Sequence, residues 1–385
     1  MSQQPVVIIG SGLAGYTVAR EFRKLDAETP VVILSADHGG FYSKPMLSNA
    51  YAQKKSADSL LMKSAEQMAA ELKAEVKGQS RVTAIDAQRK QLSVNGEILA
   101  YGKLVLALGA DPIRLPLQGS GADAVLSVND LDDYRNFRLA IEGKKSIAIL
   151  GAGLIGCEFA NDLANAGYKV HVIDLAPQVL GRLLPAQAAV FMQGKLEGAG
   201  VSFHLATTTL EVNRVSGDLQ IKLASGETIA ADAVLSAVGL KPRTSLAASA
   251  GINVKRGIVV NSFLQTNLED VYALGDCAEV EGKVLPFVMP IMQAARALAP
   301  TLTGKLTSIV YPAMPVAVKT PACPAVVAPP EPGLVGSWHV EVVENGVTAR
   351  FFADQGEKLL GFALLGAATS EKSKLVQMLA ADSQS

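Results

Sequence analysis

At 385 residues, nearly half of them apolar, the chain is long enough for two or three domains with large buried cores. Its 35 Lys and Arg against 36 Asp and Glu leave a formal charge of −1, which argues against any global attraction to nucleic acid or to an anionic membrane surface. Cys157, Cys277 and Cys323 are odd in number and far apart, so a disulfide framework, a zinc knuckle and a Cys-x-x-Cys pair are disfavoured and buried reduced thiols are expected.

In chain order, the first informative stretch is Val6-Val-Ile-Ile-Gly-Ser-Gly-Leu-Ala-Gly15, an apolar strand running into Gly10, Gly12 and Gly15 and then a helix from Tyr16 to Leu25. Gly10 permits a tight turn, Gly12 lets a pyrophosphate approach the backbone, and Gly15 lets helix and strand pack closely, so a phosphate would meet the free N–H groups of the helix start. Pro30 to Asp37 reads as the second parallel strand. An acid normally ends such a strand to hold a ribose; here Ser35 and Ala36 come first and Asp37 slightly late, leaving Asp37 and Ser35 as alternatives. His38 to Ser48 reads as a loop and the sequence to about Lys77 as polar helix.

From Arg81 the texture changes to short strands, Arg81–Asp86 and Gln91–Val94, and returns through Lys103–Gly109, a crossover between parallel strands. The same pattern then repeats. Ser146 to Gly156 forms a second strand and glycine cradle (Gly151, Gly153, Gly156), followed by a helix, the strand Val170–Asp174, a meander, and Ala233–Gly239. Asp174 stands 18 residues beyond Gly156, where a carboxylate accepts both ribose hydroxyls of NADH and repels a 2′-phosphate; no Arg follows to compensate. A strand ending Gly275-Asp276 after the second unit implies a discontinuous first domain. Pro290 suits the first position of a helix running through Leu298, and residues from Ala313 onward read as a small α+β cap. The expected domains are 1–110 with 240–312, 111–239, and 313–385.

The two cradles, Leu108-Gly-Ala-Asp-Pro112 and Val238-Gly-Leu-Lys-Pro242 at the domain crossings, and Tyr272-Ala-Leu-Gly-Asp-Cys-Ala278 together resemble the FAD-dependent pyridine nucleotide oxidoreductases over the whole chain. Within that superfamily, Phe41-Tyr-Ser-Lys-Pro-Met-Leu-Ser48 and Met314 to Pro324 look like the reductases of rubredoxin, flavoproteins that pass electrons from NADH to this small iron protein in bacterial alkane oxidation. The paired cysteines and C-terminal catalytic His of a disulfide reductase are absent from this sequence. The resemblance implies two nested Rossmann-like domains, for FAD and NADH, with an α+β C-terminal domain.

It further implies FAD and NADH contacts at Gly10, Gly12, Leu13, Ala14, Gly15, Ser35, Ala36, Asp37, Lys44, Pro45, Val82, Ala107, Leu108, Gly109, Gly151, Gly153, Ile155, Gly156, Glu158, Asp174, Gly239, Gly275, Asp276, Val288 and Met289. The resemblance implies that hydride would pass from the nicotinamide to the flavin and that single electrons would leave for an iron carrier. The helix near Pro290 would stabilise the anionic reduced flavin by its dipole. Lys44 and Glu158 are expected to pair near the flavin and act catalytically, and Lys44, Arg296 and Lys319 to form a basic rim for an acidic partner. His171 and His204 lie in apolar strands and are expected as core or hydrogen-bonded histidines, so no metal site is expected. Trp338 is expected in the core of the cap. A soluble cytoplasmic monomer is expected; a reductase of ferredoxin or flavorubredoxin, and an NADH:quinone dehydrogenase, are the alternatives.

Overall fold

A computed structural model describes residues 4–354, 356 and 358–382. The chain divides into two compact units: residues 1–44, 58–111 and 240–311 form the first, and 45–57, 112–239 and 312–385 the second. The segment 45–57 and the C-terminal region thus belong with the second cradle.

Each unit is built on a five-stranded parallel sheet with the cradle strand in the middle. In the first unit the order is Val271–Ala273, Lys103–Leu106, Val6–Ile9, Val31–Leu34, Glu75–Lys77. In the second it is Val125–Leu126, Ala233–Ser236, Ser146–Leu150, Lys169–Ile173, Val201–His204. Strands buried on both faces read as continuous apolar runs. Val6–Ile9 and Val31–Leu34 are buried throughout, as are Ile147–Leu150. A three-stranded antiparallel meander lies within the crossover of each unit: Val82–Asp86, Gln91–Val94 and Glu97–Ala100 in the first, Thr209–Val215, Asp218–Leu223 and Thr228–Ala231 in the second.

The two sheets differ in one respect that explains why the first domain is interrupted. The edge strand beyond the returning crossover strand comes from later in the chain in the first unit, Val271–Ala273, and from earlier in the second, Val125–Leu126. The later strand brings Gly275 and Asp276 with it. The helix Val288–Leu302 then packs along the first cradle helix, Leu13–Arg23.

Residues Val316–Val318, Ala325–Ala328, Leu359–Gly366, Gly346–Ala353 and Gly336–Val343 make an antiparallel sheet in that order. The helix Lys372–Asp382 covers it with Leu375 and Leu379 against Leu359, Phe362 and Leu364. Trp338 is half-buried on an edge strand and meets the Phe351 ring edge-on at 5.3 Å, so it belongs to the sheet's surface more than to its core.

Two sequence expectations need correction. The stretch read as polar helix up to Lys77 ends in the strand Glu75–Lys77, whose single apolar residue, Val76, leaves no period to detect; pairing with Val32–Leu34 makes it a strand. The helix placed from Pro290 begins at Val288, so Pro290 is its third residue. A proline fits there because the first N–H groups of a helix have no intrahelical acceptor to lose.

His171 and His204 are hydrogen-bonded to each other, Nδ1 to Nε2 at 3.1 Å, and His204 Nδ1 lies 3.0 Å from Glu227. Burial, then Lys169 and His204, disfavour the His171 imidazolium, and Glu227 alone opposes them, so its pKa is lowered. Unfolded His takes up a proton near pH 6.5 while folded His171 resists it, so below about pH 6.5 the unfolded state binds more protons and stability falls, by at most about 1.4 kcal/mol per pH unit. Melting should therefore occur at lower temperature at about pH 5.5 than at about pH 7.5, with the difference reduced in His171→Gln. An unchanged difference in that variant removes His171 as the cause.

Candidate functional site

The first cradle is shaped by what a side chain would strike. At Gly10, which has φ +119°, a Cβ would sit 2.1 Å from the Ala107 carbonyl oxygen, and at Gly15 it would sit 1.9 Å from the Gly10 carbonyl oxygen. A Cβ on Gly12 would meet nothing within 4 Å among the described residues beyond its chain neighbours. Its helix, Leu13–Arg23, has no side-chain cap among the described residues and no acid in its first turn. Free N–H groups therefore face open space, the arrangement that receives an anion.

The second cradle repeats these contacts. A Cβ on Gly151 would lie 2.7 Å from the Ala237 carbonyl oxygen and one on Gly156 would lie 1.9 Å from that of Gly151, while Gly153 again meets nothing within 4 Å among the described residues. The helix Leu154–Asn165 likewise lacks a side-chain cap among the described residues.

The strand ends beside the cradles carry the polar groups for a ribose. In the second unit Asp174 accepts hydrogen bonds from Ala152 N, inside the glycine turn, and from Ala176 N at 2.7 Å, which fixes its carboxylate at the cradle. Leu175 beside it is largely exposed. Ser236, opposite Leu150 in the sheet, has a buried Oγ without a partner among the described residues. In the first unit Asp37 and Ser35 act together: Ser35 Oγ donates to Asp37 Oδ1 at 2.5 Å, Ser11 Oγ lies 2.6 Å from Ser35 Oγ, and Gly39 N donates to Asp37 at 2.8 Å. Ala36 is exposed between them. Each unit thus presents open glycine backbone, uncapped N–H groups and a fixed carboxylate, and fits a dinucleotide.

The first unit adds further groups. A Cβ on Gly275 would come within 2.8 Å of Ala14 Cβ, so the 275–277 turn abuts the cradle helix. Burial pushes the Asp276 carboxyl up and the charge of Lys44 pulls it down. Leu13, Leu108 and Gly109 stand half-buried, as does Val82 on the meander; Ala107 is buried. Val288 and Met289 are exposed at the start of their helix, and Arg296 is exposed further along it.

In the second unit Ile155 is exposed and Glu158 is fully buried. Its Oε2 lies 2.8 Å from Lys319 Nζ and accepts from Ser48 Oγ at 2.5 Å, while its Oε1 accepts from Lys319 N at 2.8 Å. Lys319 Nζ also donates to the Pro45 carbonyl. Lys319, expected at a partner-facing rim, is thus the counter-charge of Glu158, and its side chain keeps 39 % of its surface exposed. Lys44 and Glu158 fall in different units. Gly239 closes the second unit's crossing, where its carbonyl accepts from Ile113 N at 3.0 Å. The sequence signal that was missed is a carboxylate on an otherwise buried helix face, which requires a partner.

Burial pushes the thiols of Cys157 and Cys277 up to about 12 and that of Cys323 up to about 11. All three are free and buried, unsuited to dithiol chemistry. No group of three or more metal-ligating side chains occurs among the described residues.

The chain belongs to the pyridine nucleotide-disulphide oxidoreductase family, whose profile matches residues 4–299. A second profile, the rubredoxin binding C-terminal domain, matches residues 308–379. The chain is 50 % identical over 378 residues to the rubredoxin-NAD(+) reductase of Alcanivorax borkumensis, covering 98 % of this chain and 99 % of that one. It is 51 % identical over 379 residues to the enzyme of the same name from Acinetobacter baylyi, covering 96 % of each. A ferredoxin reductase from Rhodopseudomonas palustris superposes with a TM-score of 0.88 at 26 % identity, covering 96 % of this chain and 93 % of that one.

Removal of the Asp174 carboxylate should separate the two dinucleotides. Asp174→Ala is expected to raise the KM for NADH by about tenfold, to leave or lower that for NADPH, and to leave flavin content unchanged. Steady-state kinetics with both nucleotides checks this; equal losses with both would contradict the role given to Asp174.

Proposed function

We propose that the first cradle holds FAD and the second NADH, and that the chain delivers the two electrons singly to rubredoxin in the cytoplasm, as the reductase of an alkane-hydroxylating chain. The observation that carries this reading is the coexistence in one chain of two uncapped glycine cradles and a C-terminal region matching the rubredoxin-binding domain. The flavin, once bound, supplies the conversion of a two-electron hydride donor into two one-electron transfers.

The chain's own residues do the rest. The N–H groups of Leu13–Arg23 and Leu154–Asn165 would hold pyrophosphate, Asp174 would accept the ribose hydroxyls of NADH, and Ser35 with Asp37 would accept those of FAD. Asp276, on which the charge of Lys44 acts, would hydrogen-bond the flavin's polar chain. The start of the helix Val288–Leu302, where Val288 and Met289 are exposed, would place its dipole beside the flavin. No acid, base or nucleophile is needed for the electron transfers, which agrees with three thiols raised by burial. The half-exposed Lys319 gives an acidic carrier a basic group to meet in the second unit. No helix among the described residues is long and apolar enough to cross a membrane. The enzyme acts as a monomer.

Anaerobic mixing with NADH should bleach the flavin, and subsequent mixing with rubredoxin should restore its colour at a rate that falls as salt rises, because encounters of charged surfaces are screened beyond about 10 Å at 0.1 M. Bleaching followed by no reaction with rubredoxin would overturn the partner, and absence of bleaching would overturn the donor.

A further inference from the structure

The helix that starts at the second cradle carries three polar side chains into the core of its unit. Glu158, Asn161 and Asp162 are 0 %, 0 % and 6 % exposed. Their spacing of three and four residues puts them along one side of the helix. All three accept a hydrogen bond from backbone amides of distant chain. Glu158 takes Lys319 N, and Asn161 Oδ1 takes Ala322 N at 3.0 Å. Asp162 takes Tyr51 N at 2.8 Å and Ala52 N at 3.3 Å.

Stability alone does not account for this row. Asn161 Nδ2 is buried without a partner among the described residues, and an orphaned donor costs about 1–3 kcal/mol. Burial pushes the Asp162 carboxyl up, against the pull of the Tyr51 and Ala52 amides and of the Lys319 and Arg138 charges. Well-packed apolar residues commonly serve a core better than buried charge. What the three groups provide is position: two segments are fixed to one rigid helix by directed hydrogen bonds, each group taking at least one from a backbone N–H.

The turn held by Asn161 lies inside the stretch that matches the rubredoxin-binding domain. It is closed on itself, with Cys323 N donating to the Thr320 carbonyl at 2.9 Å and Thr320 Oγ1 to the Cys323 carbonyl at 2.6 Å. It therefore moves as one piece with Lys319, whose ammonium also rests on Pro45 of the other segment.

We infer that Asn161 and Asp162 are positioning residues for rubredoxin reduction: they lock the 319–323 turn and the 51–52 segment to the nucleotide helix and so fix the Lys319 ammonium where an acidic one-electron carrier docks. The inference rests on rubredoxin being the acceptor. It assigns to the two residues no contact with cofactor or carrier, and hence no part in NADH oxidation itself.

The test uses the flavin-loaded enzyme with three readouts: flavin bleaching by NADH, turnover with ferricyanide as a small acceptor, and kcat and KM with rubredoxin. Asn161→Leu and Asp162→Leu should raise the rubredoxin KM by about tenfold while the other two readouts stay within about twofold, since losing a docking geometry costs affinity for the large partner alone. Asp162→Asn, which keeps an acceptor for an amide, should recover most of the loss. Lys319→Met should raise the rubredoxin KM similarly and add little to Asn161→Leu, as expected for residues acting through one group. If Asp162→Leu fails to fold, Asn161→Leu and Asp162→Asn decide. An unchanged rubredoxin KM in folded Asn161→Leu, or a loss shared equally by all three readouts, overturns the inference. Inability of the unaltered enzyme to reduce rubredoxin would instead overturn the partner on which it rests.

Discussion

A helix N-terminus attracts an anion only if the anion reaches its N–H groups, and a single Cβ in the way is enough to prevent that. Gly12 and Gly153 leave this approach open, while Gly15 and Gly156 bring each helix so close to its strand that a methyl group would overlap the carbonyl of Gly10 or Gly151. The rest of the architecture follows from that contact. Parallel strands need crossovers, crossovers place the strand ends at the cradle, and Asp37, Asp174 and Asp276 stand at or just beyond those ends. Because one edge strand of the first parallel sheet is supplied only after the second parallel sheet is complete, the first of these two sheets closes after the second.

The second helix links this binding chemistry to the C-terminal region. Its N-terminus faces the dinucleotide site, and its buried acceptors hold Lys319, Ala322, Tyr51 and Ala52 within the same unit. One rigid element therefore serves both the nucleotide and the segments expected to meet the carrier. A buried carboxylate such as Glu158 is tolerable because an ammonium, a hydroxyl and an amide all satisfy it. Three buried thiols take no part, which separates this chain from relatives that reduce disulfides through a dithiol.

The cradles were legible because steric rules for glycine are local: three glycines at fixed spacing after an apolar run state the turn, the approach and the packing together. The repeat was legible for the same reason, since the whole strand-and-crossover pattern recurs. Glu75–Lys77 was not, because with one apolar residue its strand character comes from the neighbouring strand alone. Nor was the first turn of the helix at Val288, where Pro290 looked like a start signal and proved to be the third residue. The partnership of Glu158 with Lys319 spans 161 residues, and sequence spacing carries no information about such a pair; the buried acid announced only that some cation was needed. Sequence leaves Ser35 and Asp37 as alternatives, whereas the structure joins them in one network with Ser11.

The account stands on the independence of two equivalent sites, and binding measured separately in Gly12→Ala and Gly153→Ala tests it most directly. Beyond its chain neighbours, a Cβ added at either position would meet no atom of the described residues within 4 Å, so both variants should fold. The account predicts that Gly12→Ala is purified with little flavin yet binds NADH normally by calorimetry, and that Gly153→Ala keeps its flavin and loses NADH affinity by about tenfold or more. Loss of NADH affinity in Gly12→Ala with flavin retained, or loss of flavin from Gly153→Ala with NADH binding intact, would contradict it.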